Sequence, residues 1–222
     1  MAASVRGEHE TSRTFLPAAG HGFLLPLYDP FTKIIGADKV RRALLDQATL
    51  QPKQRALEIG CGTGTLTLAI KRRHPDVDVV GLDPDSKALD RARRKAQRAG
   101  VAIQLDRGFS DELPYPETSF DRVLSCLMFH HLEDDDKDAT LREVRRVLKP
   151  GGRLEMVDFA GRTSGSHGPL ARWLHSHERL RDNSEEQILR RMTGAGLAGA
   201  TCVGSGSLLL GRVAYYQASA PR

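Results

Sequence analysis

The stretch that decides the fold is "RALEIGCGTGTLTLAIKRRH", residues 55–74. Its first six residues form a short apolar run with the look of a buried strand. Leu66, Ala69 and Ile70 then recur at helical spacing. Between the two lies "LEIGCGTG" (57–64), with glycines at 60, 62 and 64. Glycine there lets the chain turn tightly and lets a ligand approach the backbone. The helix that follows offers free amides to a negative group. A dinucleotide loop wants G-x-G-x-x-G, and here Thr65 stands where the third glycine would be. The pattern is instead E-x-G-x-G-x-G, with the acid Glu58 two residues ahead of Gly60.

Outward from this loop the alternation continues. "VDVVGLD" (77–83) reads as a second strand, and 85–100 as a helix opened by Asp85 or Ser86 and stopped by Gly100. "VAIQLD" (101–106) and "FDRVLSCLMF" (120–129) are the third and fourth strands. Residues 138–152 form a helix ended by Pro150 and two glycines, and "RLEMVDF" (153–159) is the fifth strand. Ser184 with Gln187 makes a capping-box pattern at the start of a helix over 183–196. "ATCVG" and "LLLGRVAYYQASA" close the chain as a hairpin joined through residues 204–206. Strands alternating with helices across short connections mean an α/β, doubly wound, mostly parallel sheet between helical layers, with one antiparallel strand contributed by the hairpin. Residues 1–50 break the alternation and read as an N-terminal lid or docking segment. Residues 51–222 are the main domain, with 160–182 as a lid insertion.

Composition narrows the class. The 222 residues are 40% apolar and 27% charged, enough for one substantial core. Cys61, Cys126 and Cys202 are odd in number and widely spaced. They build neither a disulfide framework nor a zinc site, and they fit a reducing, cytoplasmic setting. No signal architecture opens the chain and no long apolar run would span a membrane. The net charge of +5 is scattered over helical patterns such as Arg91, Arg93, Arg94, Lys95 and Arg98, interleaved with Leu89, Ala92 and Ala96. No aromatic residues accompany them, so solvated helix faces account for the charge better than a nucleic-acid stripe.

The second acid, Asp83, ends the second strand about twenty residues past the loop. A carboxylate there accepts from the vicinal hydroxyls of a ribose, so loop and acid together point to an adenosine-containing ligand. "LEIGCGTG", "GLDPD", "LPYPETSFDRVLSCLMFHHL" and "LKPGGRLEMVDF" occur in order over about residues 55–160. In this the chain resembles the class I S-adenosylmethionine-dependent methyltransferases, specifically the ubiquinone/menaquinone-biosynthesis branch. The resemblance implies a seven-stranded Rossmann-like sheet and S-adenosylmethionine as cofactor, with S-adenosylhomocysteine as product. Gly60, Cys61, Gly62 and Gly64 would wrap its methionine part, Glu58 would sit near the amino group through the loop, and Asp83 with Pro84 would hold the ribose. Many relatives carry an Asp-Ala pair before "LP"; here "RGFSDELP" puts Phe109 at that Asp. The adenine contact then falls to the backbone of Gly108–Ser110, with the Phe109 ring as a packing surface. Ser125 would present its backbone to the cofactor.

Methyl transfer from a sulfonium is an in-line displacement governed largely by proximity. A base is needed only where the acceptor must lose a proton. His130 and His131 follow the fourth strand and suit that role; they equally suit ordering the turn. Asp158 ends the fifth strand and points towards the same pocket. In similar enzymes a Tyr-Asp pair near the N-terminus covers the site, which makes Tyr28 a lid candidate, with Phe23, Met128 and Trp173 as apolar walls. Adjacent histidines diverge in regular structure, so a shared metal is disfavoured. The acids 133–136 suit the approach to a helix N-terminus, and His175 and His177 lack a third ligand. The expected substrate is a small, partly apolar O-, N- or C-acceptor handled by a monomer or homodimer. The alternatives are RNA or protein methylation, or a non-catalytic cofactor-binding regulator.

Overall fold

The computed structural model describes residues 30, 32–160, 183–209 and 211–222. Within them seven strands form one sheet in the order β3-β2-β1-β4-β5-β7-β6. The strands are β1 (Arg55–Ile59), β2 (Asp78–Asp83), β3 (Gln104–Arg107), β4 (Phe120–Cys126), β5 (Leu148–Phe159), β6 (Ala198–Leu208) and β7 (Gly211–Ser219). β1 to β5 pair in parallel, and β7 runs antiparallel to both β5 and β6. The helices are α1 (Ala37–Ala48), α2 (Thr65–Arg73), α3 (Ser86–Ala99), α4 (Asp134–Val147) and α5 (Glu185–Gly194). Strand order reverses between β1 and β4, which makes their carboxyl ends the place where this architecture binds ligands.

Burial alternates along each strand and divides the core in two. Leu57, Ile59, Val123, Leu154, Met156 and Tyr216 meet α4 and α5 on one face. Ala56, Val79, Leu124, Val157 and Tyr215 meet α1 and α2 on the other. The architecture is thus three-layered, α/β/α. The described part of the 1–50 segment includes α1, whose Val40, Leu44 and Leu45 are buried against the second face.

Local chemistry corrects five boundaries. Val101 is still tied to the end of α3, donating to Ala96 while Gly100 takes a left-handed turn, so β3 begins only at Gln104. β4 stops at Cys126 because Leu127 turns to φ 55°. The acids Asp134, Asp135 and Asp136 are the first turn of α4, where negative charge is favoured, and do not merely precede it. That helix ends at Val147, since the residue before Pro150 avoids helical geometry, and β5 already starts at Leu148. The hairpin turn lies between Leu208 and Gly211, not at 204–206; Gly204 and Gly206 stand within β6 opposite the Tyr215 ring. The caps read from sequence are present. Asp85 accepts from the Lys87 and Ala88 amides, and Ser184 and Gln187 form the capping box.

One ionic cluster anchors α1 at the amino end of the sheet. Arg122 donates to the Ala48 carbonyl at 3.0 Å, and Arg153 to the Thr49 hydroxyl at 2.6 Å and the Ala48 carbonyl at 3.3 Å. Two guanidiniums thereby serve carbonyls that the end of a helix leaves unpaired. Arg153 also reaches Glu155, fully buried, at 3.1 Å. Burial pushes the Glu155 carboxyl up to about 7 against the pull of Arg153 and Arg122. Arg153→Met should therefore destabilise the protein by about 3 kcal/mol at pH 8, the order expected when a buried charge loses its partner. The loss should shrink as pH falls through 7 and Glu155 takes up a proton, which urea unfolding at pH 8 and pH 6 would measure.

Candidate functional site

The glycine loop connects the carboxyl end of β1 to α2, and each glycine answers a different demand. Gly60, at φ 67°, could carry no side chain, because a Cβ would fall 2.2 Å from the Met128 Cγ. Gly64, at φ 71°, permits close packing, since its Cβ would lie 2.8 Å from that of Ala92 on α3. Gly62, at φ 52°, has nothing within 4 Å of that position and is the open part of the cradle. Cys61 turns inward against Gly81, and burial raises its thiol well above the ordinary range, so it packs and does not react. Lys95 of α3 donates to Thr65 at 2.7 Å and Thr63 at 3.3 Å, occupying the start of α2 where a dinucleotide loop would hold pyrophosphate.

Beneath the loop sit two acids. Glu58 is buried and accepts from the Thr67 hydroxyl in α2. Burial lifts its carboxyl to about 7, although that bond and the nearby Arg41 pull the other way. Asp83 accepts from the Gly62 amide at 2.8 Å with one oxygen and from the Asp85 amide at 2.9 Å with the other. Each oxygen keeps a second lone pair, an arrangement suited to two neighbouring hydroxyl donors. Burial raises this carboxyl to about 6 against those two amides. Pro84 follows, its carbonyl accepting from Arg107 at 3.3 Å. Across from it, Gly108 donates to the Asp83 carbonyl at 3.3 Å and passes so close to Leu82 that a Cβ would be 2.9 Å away. Phe109 accepts from the Glu112 amide and Ser110 is bonded to Thr140, so the 108–110 turn is fixed.

Beyond β4 the chain forms one tight turn, Phe129–His131. It brings the two histidine rings to 4.0 Å, which corrects the expectation that they diverge. Among the described residues no three His, Cys, Asp or Glu side chains are grouped to hold a metal. His130 Nδ1 lies 2.7 Å from Asp158 Oδ1, and its backbone amide donates to Oδ2 at 3.2 Å. The Phe159 amide adds a third donor at 2.7 Å and Asn183 Nδ2 a fourth at 3.4 Å. Burial alone would raise the Asp158 carboxyl, but His130, the Phe159 amide and His131 hold it below the usual carboxylate range. An ionised carboxylate only accepts, so in its neutral form His130 carries its proton on Nδ1 and leaves Nε2 with a lone pair. Ser125 is paired through β4 with Ile59 and Met156, its side chain fully buried. Tyr28, Phe23, Trp173, His175 and His177 lie outside the described residues. Asn183 and Lys95 were missed from sequence because their partners lie 25 and 30 residues away, and Thr67 because its contact crosses from α2 back to β1.

A methyltransferase-domain family model matches residues 56–152. A demethylmenaquinone methyltransferase of Thermus thermophilus is 36% identical over 152 residues, covering 67% of this chain and 68% of its own length. The chain belongs to the class I S-adenosylmethionine-dependent methyltransferases, in the quinone-biosynthesis branch. A demethylmenaquinone methyltransferase of Deinococcus radiodurans is 35% identical over 157 residues, or 69% of this chain and 64% of that protein. The chain thus spans about two thirds of the length of these relatives. The fold matches Haemonchus contortus phosphoethanolamine N-methyltransferase 2, solved with S-adenosyl-L-methionine. The TM-score is 0.74 at 15% identity, with 91% of this chain and 58% of that one covered. No described helix of this methyltransferase is long and apolar enough to cross a membrane.

The family's cofactor suits the residues present: an open glycine, two spare acceptor sites on Asp83, and a loop whose Thr65–Lys95 contact fills the dinucleotide position. Asp83→Asn should weaken S-adenosylhomocysteine binding by about 1.5–3 kcal/mol, as expected for hydrogen bonds to a charged group. Hydroxyl donors favour the ionised carboxyl, so affinity should fall as pH drops through about 6. The stability of the ligand-free protein runs the other way. A carboxyl raised by folding holds its proton longer in the native state, so this contribution declines as pH rises from about 4 to 6. Calorimetric titration and unfolding between pH 4 and pH 8 would test both slopes.

Proposed function

We propose that the protein transfers a methyl group from S-adenosylmethionine to a small, partly apolar acceptor whose reacting atom gives up a proton. The observation that carries this reading is the 2.7 Å contact between His130 Nδ1 and Asp158, beside the glycine loop. Met128 packs over Gly60, and its carbonyl accepts from the His131 amide, so the histidine turn and the cofactor loop are one contiguous surface. Bound S-adenosylmethionine supplies an electrophilic methyl group on a sulfonium sulfur.

Gly60, Cys61, Gly62 and Gly64 form the loop for its methionine part. Cys61 and Gly64 act through packing, and Gly62 through its open face. Glu58 with Thr67 supports that loop from beneath, Asp83 with Pro84 takes the ribose, and Gly108, Phe109 and the backbone of Ser125 border the adenosine. His130 Nε2 accepts the acceptor's proton, Asp158 holds the ring in register, and His131 shapes the wall beside it. The relatives named above act on demethylmenaquinone, which makes a hydroxylated naphthalene ring the first acceptor to try. Three free cysteines, one fully enclosed beneath the loop, support a cytoplasmic setting.

The test uses methyl-labelled S-adenosylmethionine with a demethylnaphthoquinol and with fractionated cell extract. Label in apolar small molecules supports the proposal; label confined to RNA or protein sinks it. His130→Ala should cut turnover by about 10²–10³-fold, the range for a lost general base, while S-adenosylhomocysteine affinity stays within a few-fold. Equal turnover in the variant would remove His130 from the chemistry.

A further inference from the structure

Asn183 stands where the chain enters α5, and its side chain is fully buried. Its Nδ2 donates to the Phe159 carbonyl at 2.8 Å and to Asp158 Oδ1 at 3.4 Å. A carbonyl only accepts, so the amide orientation is fixed by Phe159. The consequence is that Asn183 Oδ1 has no partner among the described residues. A buried acceptor without a donor is unfavourable, and a leucine, with the same branched heavy-atom skeleton, would not carry that burden. What asparagine supplies here is its pair of N–H donors.

Both residues they reach hold His130. Asp158 takes the ring's Nδ1–H, and the Phe159 ring meets the imidazole edge-on, with centroids 5.0 Å apart at 85°. The Phe159 amide also donates to Asp158, so the amide of Asn183 closes a small network linking carboxylate, strand end and ring. Immediately after it, the Ser184–Gln187 capping box fixes the backbone from which the side chain projects.

We infer that Asn183 is a positioning residue that, by gripping Asp158 and Phe159, keeps His130 in the form with Nδ1–H and a bare Nε2. This rests on the proposal that His130 is the base. Asn183 itself touches no reacting atom; it acts through its two neighbours, as a third member oriented behind the pair. It also couples the proton-accepting group to the seating of α5, because the residue that orders the base immediately precedes that helix's N-cap, Ser184.

The experiment is long-range 1H–15N spectroscopy of histidine-labelled protein at a pH where the rings are neutral, with S-adenosylhomocysteine titrated in parallel. The wild-type protein is expected to show His130 as a single Nδ1–H form. Asn183→Leu is expected to lose that single form and show a mixture, with ligand affinity unchanged. Ser184→Ala, which breaks the capping box without touching Asp158, is expected to lower stability and keep the wild-type signature. If Asn183→Leu does not fold, the decision passes to Asn183→Ser, whose hydroxyl is too short to serve both acceptors and should also give a mixture. A pure Nδ1–H signal in whichever of these variants folds overturns the inference about Asn183 alone. A wild-type His130 that is mixed or Nε2-protonated overturns the reading of His130 as base as well.

Discussion

The carboxylate of Asp83 ties together three pieces of chain that must keep fixed relations for the cofactor end of the sheet to exist. One oxygen receives the amide of Gly62 in the loop after β1, and the other receives the amide of Asp85, which caps α3. Loop, strand end and helix start are thereby held by one buried group. Gly64 then lets the loop settle against Ala92 of α3, at a separation a side chain would not allow. Because both amides use lone pairs that point towards the protein, the remaining pairs are left for a ligand. The same group builds the site and presents it.

On the other side of the switch point the chain meets a different constraint. β4 must end abruptly if the histidine turn is to lie against the glycine loop. Leu127 accomplishes this in a left-handed conformation that costs a non-glycine residue on the order of 1 kcal/mol or more. Its amide still bonds the Val157 carbonyl at 2.9 Å, so the strand pairing with β5 is extended through the turn. The strained residue is then followed by Met128, which lies over Gly60, and by the turn that aims His130 at Asp158. Strain at Leu127 and the absence of a side chain at Gly60 are two halves of one fit.

Much of this was legible in the sequence because it rests on local signals. The caps at Asp85 and Ser184, the strand alternation, the loop glycines and the acid at the end of β2 are all written in neighbouring residues. What escaped was decided by distant partners. Thr67 reaches from α2 back to Glu58 in β1, Arg122 and Arg153 cap a helix 74 and 105 residues earlier in the chain, and Asn183 reaches back to Asp158. The hairpin misplacement has a similar cause. Glycines at 204 and 206 look like turn residues, yet they stand inside β6, paired with Tyr215 and Val213 of the facing strand.

Asp83 and Asp158 are alike in type, in depth and in standing at the ends of strands, yet their protons are held very differently. Asp83 has two amide donors and, among the described residues, no close cation, and burial wins, lifting it to about 6. Asp158 has four N–H donors, two of them from His130, with His131 also near; His130, the Phe159 amide and His131 outweigh an equal or deeper burial. The difference matches the tasks proposed for them. An acid that must orient a base has to remain charged whether or not ligand is present, so its partners are built into the chain. An acid that must recognise hydroxyls can leave part of its stabilisation to the ligand. Its charge is then fully supported only once donors arrive, and that makes ribose recognition and ionisation a single event.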